Sequence, residues 1–191
     1  LIITAHGVGF FAGLRLTEPS MTATADKFLT EQNLFDFRLL STLGFTEDDV
    51  KAFDGADGMT AKGAYNVDFL GLSEGGELVF KAHSITDGIN IPRVVDGNLP
   101  SADNECVVDA NISGAAPIGS VIKVADSNTD NAKDTLKYTE YKVVGHVRSP
   151  YYINFERGNT SVGTGRISGF IYLPEGDSTA RRTMRYLSMR P

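Results

Sequence analysis

The sequence predicts an α+β fold, on three observations. One amphipathic helical pattern lies near the start, and a short, well-signalled helix follows it. From residue 91 onward the chain is a series of short apolar runs joined by Gly-, Asn-, Asp- and Ser-rich connections, with no further long helix. The bulk numbers permit a core: of 191 residues 41% are hydrophobic and 22% charged, a balance that folds. The net charge of -6 is the wrong sign for a nucleic-acid footprint, which needs a clustered basic face.

The first stretch, LIITAHGVGFFAGLRL, carries no charge before Arg15. A signal peptide has its basic residues ahead of the apolar run, and here they follow it. A complete membrane span needs about 20 apolar residues, more than Leu1 to Leu14 provide. Ala5, Gly9 and Gly13 recur at intervals of four and share one face if helical. Gly9 to Gly13 is a GxxxG pattern, which lets helices approach closely in lipid. Glycine weakens a soluble helix by roughly 1 kcal/mol relative to alanine. Residues 1–16 are therefore expected to be the outer end of a transmembrane helix, with Ala5, Gly9 and Gly13 as its candidate packing face; an N-terminal core strand or a disordered tail is the alternative.

After Leu16 the pattern is that of a soluble fold. Met21, Ala25, Phe28 and Leu29 lie on one helical face; Pro19 fits only a first turn, and Asn33 is a stop. In NLFDFRLLSTL, Phe35, Phe37 and Leu39 alternate with Asp36 and Arg38, as in a strand with one buried face. GFTEDDVKAF is the sharpest local signal. Thr46 caps a helix, Asp49 takes the capping-box position, and Phe45 and Val50 occupy the two positions of a hydrophobic staple. The acids Glu47, Asp48 and Asp49 suit the positive end of the helix dipole, so they require no metal. Asp54-Gly55 and Asp57-Gly58 end that helix. AYNVDFLGL, SEGG and ELVFKAH read as strand, turn and returning strand. IPRVVDGNLP reads as a loop bracketed by Pro92 and Pro100, and ECVVDA, SVIKVA, YKVVGHV and GFIYLP as short strands. Cys106 stands alone, so it forms no intrachain disulfide and suits a small core position. At the end of the chain Arg181, Arg182, Arg185 and Arg190 crowd together, as a solvated tail or as a contact for anionic headgroups.

Chemical motifs are weak. GLSEG (71–75) matches a nucleophile elbow with Ser73 at its centre, but that motif opens a helix and a β run follows here. DSNTDN (126–131) begins like a calcium loop, yet Asn131 replaces its glycine and Lys137 its bidentate acid. RGNTSVGTGRISG is glycine-rich without the Gly-Lys-Ser/Thr of a phosphate loop. A mobile loop is the favoured reading, with Arg157 and Arg166 as an anion contact the lesser one. His6, His83 and His146 form no metal-binding pair by spacing, and the tyrosines of SPYYINF invite a binding-site reading. No cofactor and no metal site are expected.

The order of VGFFAGLRLT, LLSTLGFTEDDVKAF, RVVDGNLP, ECVVD, IGSVIKV, YKVVGHVRSPYYI and ERGNTSVGTGRISGFIYLP, over roughly residues 7–175, resembles the extracytoplasmic domain of FtsX-like ABC transporter permeases with a MacB-type core, in versions associated with Gram-positive gut bacteria. The resemblance implies a transmembrane helix at 1–16, a mixed α/β porter-like lobe at 17–91, an inserted β-rich sabre-like lobe at 92–179, and the start of a return toward the membrane at 180–191. His6, in an apolar stretch, and RRTMRYLSMRP depart from the family pattern. It further implies a non-catalytic part of a dimeric permease in the cell membrane, exposed on the extracytoplasmic side. Its partners would be a cytoplasmic ATPase subunit and a lipid or peptide substrate for export or extraction, or its role mechanical signalling. A secreted serine hydrolase using Ser73, and a passive surface binding module, are the alternatives.

Overall fold

The computed structural model describes residues 2–174 and 184–190. The chain begins with α1 (Ile2–Glu31), one helix that continues through Pro19 instead of starting there. Proline removes the amide that would bond to the Arg15 carbonyl, and its ring crowds that carbonyl. The helix persists with threonine hydroxyls bonded back across the flanking turns: Thr17 Oγ1 donates to the Gly13 carbonyl and Thr24 Oγ1 to that of Ser20, each at 2.8 Å. The expected stop is correct. Asn33 takes the left-handed conformation (φ 50°), its amide donates to the Thr30 carbonyl, and that of Leu34 donates to the Leu29 carbonyl. These two bonds are a Schellman motif.

Next come β1 (Phe37–Phe45), α2 (Glu47–Phe53) and β2 (Thr60–Ala64). The cap of α2 is the one expected: Thr46 Oγ1 accepts from the Asp49 amide at 3.2 Å, and Asp49 Oδ2 accepts from the Thr46 amide at 2.7 Å. Bonds to Asp49 Oδ2 from the Thr46 amide and the Thr46 hydroxyl hold the Asp49 carboxyl below its ordinary pKa. Phe45 and Val50 join Leu39 and Phe53 around the buried Ala61. Phe37, expected on the buried face of β1, is instead exposed, and a bulge between Leu40 and Phe45 shifts the strand's register.

The rest comprises β3 (Asn66–Ser73), β4 (Gly76–Ser84), β5 (Arg93–Gly97), β6 (Glu105–Asp109), β7 (Val121–Val124), α3 (Asp130–Thr135), β8 (Glu140–Arg148), β9 (Gly169–Leu173) and β10 (Met184–Arg190). Strand β10 lies between β1 and β2, antiparallel to both, so the basic end of the chain is part of a sheet and not a solvated tail. Arg181 and Arg182 lie outside the described residues; Arg185 and Arg190 stand within the strand.

The larger sheet has the order β5-β8-β6-β9-β4-β3-β7, and β7 also pairs with β8. That extra pairing closes six strands into a barrel, with β5 attached outside along the second half of β8. Closure removes two open edges. The expected break at Ile91 does not coincide with a break between sheets, since β3 and β4 precede it and belong to the barrel. IPRVVDGNLP, expected as a loop, contains β5. Its five residues are all exposed, so the stretch lacks the apolar alternation that marks a strand. Gly97 at its end has φ +76°, and a side chain there would run into the Val144 carbonyl. The DSNTDN loop leads into α3, capped by Thr129.

Strand β9 is buried on both faces. Ile171 and Leu173 point into the barrel with Phe69, Phe80, Cys106, Val108 and Tyr141. Phe170 and Tyr172 point outward, onto a second layer with Val107, Val147 and Tyr152. The segment between β8 and β9, residues 149–168, supplies the cover for that outer layer.

Candidate functional site

The densest polar and aromatic arrangement lies where α1, the small sheet and the barrel meet. His83, on the outer face of β4, is the register partner of Tyr172 on β9, and their rings stack 5.4 Å apart. Tyr151 and Tyr152, which follow β8, enclose the imidazole at 5.6 and 5.7 Å, and His83 Nε2 shares a 2.8 Å hydrogen bond with the Tyr152 hydroxyl. Burial, with added repulsion from Lys81 and Arg38, pushes the His83 pKa down to about 3, so the ring is neutral. Burial pushes the Tyr172 hydroxyl up to about 12, against a hydrogen bond with Ser149 at 2.6 Å. Neither group is tuned to exchange protons near neutral pH.

The cluster is also a joint. The Arg38 guanidinium of β1 lies over the Tyr151 ring at 5.1 Å, and Phe35 meets that ring at 5.9 Å. The end of α1 is tied to the same place: the Asn90 and Ile91 amides donate to the Asn33 and Gln32 carbonyls, and Asn90 Oδ1 accepts from the Phe35 amide. Tyr65 and Ser84 exchange two further bonds of 3.2 Å between the β2–β3 link and the end of β4. A displacement of the helix end therefore reaches the barrel through short contacts among buried and half-buried groups.

On the far side of the cluster Arg157 forms a buried ion pair with Asp109. Its Nε and Nη2 donate to the two carboxylate oxygens at 2.5 and 3.1 Å, and its Nη1 donates to the Asn154 carbonyl. The guanidinium also lies 5.4 Å from the centres of the Tyr152 and Phe170 rings. Arg157, for which the sequence favours a mobile loop over an anion contact, is instead occupied by Asp109. Neither it nor Asp109 was marked as a pair by spacing, being 48 residues apart. SPYYINF, whose tyrosines invite a binding-site reading, supplies two rings of the cluster.

A separate groove of about 380 Å³ runs between α2, β2 and Asp87. Its walls mix Glu47, Asp54 and Asp87 with Lys51 and Lys62. Among the described residues no three His, Cys, Asp or Glu side chains converge as a metal site would require.

The other expected site residues do not assemble. Ser73 lies at the hairpin turn, where its Oγ donates to the Gly76 carbonyl at 3.3 Å. His83 pairs with Asn66 at the opposite end of β3, about 23 Å away at 3.3 Å per residue. His146 donates Nε2 to the Ala116 carbonyl. No triad forms around Ser73. Asn128, from the calcium-like loop, is buried and bonded to the Leu70 backbone through both amide atoms. Ala5, Gly9 and Gly13 do lie on one helix, and a side chain added at Gly9 or Gly13 would meet nothing. From His6 to Lys27 every residue of α1 is exposed, a length of about 33 Å. No helix among the described residues is long and apolar enough to cross a membrane.

No family model matches the chain, and no curated protein matches it. Among solved structures, the extracellular domain of the noncanonic ABC-type transporter YknZ from Gram-positive bacteria aligns with a TM-score of 0.48 and 13% identity, over 78% of this chain and 74% of that one.

Proposed function

We propose that this chain is the extracytoplasmic domain of an ABC transporter permease, without catalytic activity, which carries movement between a membrane-anchored helix and a β-barrel. The observation that carries this reading is the arrangement at the small sheet. The chain comes in through α1 and β1 and goes out through β10, and Phe37 and Met189 are paired neighbours. A domain held at two adjacent points moves as one body when its tethers move. The exposed course of α1, with Val8, Phe10, Phe11, Leu14 and Leu16 bare to solvent, supports a helix whose first part stands in lipid.

In this reading residues 1–16 are the outer end of that membrane helix, with Ala5, Gly9 and Gly13 toward a neighbouring helix. The small sheet and α2 form the porter-like part and the barrel the sabre-like part. ATP hydrolysis belongs to a cytoplasmic subunit of a dimeric assembly, and the moved substrate is a lipid or a peptide.

Cysteine accessibility tests the reading. Cys106 is fully buried and gives no background. In intact cells, Met21→Cys is expected to react with a membrane-impermeant maleimide, while Phe10→Cys reacts only after detergent is added. Equal labelling of both without detergent removes the lipid-embedded helix, and with it the proposal.

A further inference from the structure

A buried imidazole sits at the contact between the small sheet and the barrel, with no acid at hand to balance a second proton on it. His83 is enclosed by Tyr151, Tyr152 and Tyr172, and its hydrogen bond is to a hydroxyl, that of Tyr152. The charged groups packed around it are mostly cations. Lys81 shares β4 with it and is paired with Asp68 of β3 at 2.8 Å. Arg38 of β1 lies over Tyr151; Arg157 of the β8–β9 segment lies over Tyr152 and is paired with Asp109 at the end of β6. On β9 the Tyr172 hydroxyl is bonded to Ser149, and on β3 the register partner of His83 is the neutral Asn66. Both acids of this shell are thus engaged by other cations. An imidazolium there is a buried charge without a counterion, and its cost is relieved when the most weakly held neighbour moves away.

The neighbours differ in how they are held. His83 and Tyr172 stand on β4 and β9, which are paired with each other and with a further strand on the other side. Tyr151 and Tyr152 lie past the end of β8, outside any strand ladder. Their amides donate within a turn, to the Ser149 hydroxyl at 3.2 Å and to the Ser149 carbonyl at 3.1 Å. Tyr151 is also the ring that Arg38 and Phe35 rest on. We infer that His83 is an acid-operated latch: a proton on its imidazole drives Tyr151 and Tyr152 outward and breaks their contact with Arg38 and Phe35, while the barrel stays closed. The ties of Asn90 and Ile91 to the end of α1 remain, so the small sheet is loosened and not freed. The latch rests on this buried cluster and not on α1 entering lipid, so it and the proposed function fail separately.

Native-state hydrogen exchange of the full chain tests this at the Tyr151 and Tyr152 amides, with rates corrected for the intrinsic rate at each pH. The ring titrates at 6.5 when exposed and at about 3 when enclosed, so the opening constant is expected to rise about thirtyfold from pH 7.5 to pH 5. The opening is expected to be local: weakly dependent on urea, and lower in free energy than the exchange of the barrel amides. His83→Gln removes the imidazole and keeps Asp68 and Asp109, so it separates the ring from the acids nearby. In that variant the rise is expected to shrink below about twofold. Three results overturn the inference. One is a rise of the same size in His83→Gln, and another is no rise in the wild type. The third is exchange of Tyr151 and Tyr152 only together with the barrel, with the barrel's full urea dependence. The last two are read on the wild type alone, so they decide the matter even if His83→Gln does not fold.

Discussion

An imidazole buried among three tyrosines makes folding depend on pH in a definite direction. The His83 pKa falls from 6.5 to about 3 on folding, so between those values the unfolded chain binds the extra proton. Stability contributed by the neutral ring is complete above pH 6.5 and is lost as the pH falls toward 3. The slope is roughly 1.4 kcal/mol per pH unit, or about 2 kcal/mol between pH 7 and pH 5. Asp49 and Glu105 also have lowered pKa values, set by backbone hydrogen bonds from Thr46 and from Ser101 and Ala102. Their losses come at lower pH, through the carboxylate range, so the window from 7 to 5 belongs to His83. Urea titrations of wild type and His83→Gln across that window are expected to show a drop in the wild type that is nearly absent in the variant. Parallel pH dependence of the two would remove the claim. At Arg157 the expectation is a double-mutant cycle with strong coupling. Arg157→Met alone leaves the Asp109 carboxylate buried without a cation and costs about 3–5 kcal/mol, and Asp109→Leu strands the guanidinium in the same way. The double variant is expected to be more stable than the sum of the singles implies, read from denaturant midpoints. Equal and additive losses would mean that the pair is not coupled.

At the scale of elements, α1 joins the body only at its end, so its own stability and that of the barrel are separable. Pro19→Ala restores an amide and relieves a clash inside a helix, a change of about 3 kcal/mol in helix propensity. Residues 6–27 are exposed throughout, so that gain stays local. Amides from about Arg15 to Ala23 are expected to exchange more slowly in the variant, with the barrel amides unchanged; slower exchange throughout would show that α1 is coupled to the core. The same independence explains what the sequence revealed and what it hid. Helix α2 was legible because cap, box and staple are local chemistry at Phe45, Thr46, Asp49 and Val50. Strands β3, β4, β6, β7, β8 and β9 were legible from apolar runs, since GFIYL and ECVVD are buried on both faces or nearly so. The expected helix start at Pro19 fails because proline inside a helix is disfavoured, not forbidden. Strand β5 is hidden in its sequence because an edge strand with every side chain exposed carries no burial pattern. Of the His83 cluster only Tyr151 and Tyr152 were legible, in SPYYINF; His83, Tyr172 and Phe170 join them through pairings between distant strands.

For the whole molecule, the barrel is an insertion between β2 and β10, and its closure through β7 and β8 depends on long-range register that no local signal contains. That topology sets a mechanical hierarchy. Tension applied between α1 and the end of β10 falls first on the few bonds that pin the helix end to Asn90 and Ile91, and, once these open, on the β1–β10 pair. The loaded residues Phe37 and Met189 are at the same end of two antiparallel strands, so their bonds open one after another. The remaining β10–β2 pair is loaded in the same manner through Arg190 and Thr60. Only afterward does force pass through Ala64 and Leu173 into the barrel. There β3 and β9 flank β4, and every barrel strand is paired on both sides, so several rows of bonds must fail together. Single-molecule pulling between residues 2 and 190 is expected to give two events: a low-force opening of the small sheet, then rupture of the barrel at higher force. Tyr151→Ala, which removes the ring beneath Arg38, is expected to lower the first force and leave the second unchanged. A transition in which barrel and sheet yield together, or in which the barrel yields first, would mean that the small sheet is not a compliant link between tether and barrel, and movement of α1 would then reach the barrel undamped.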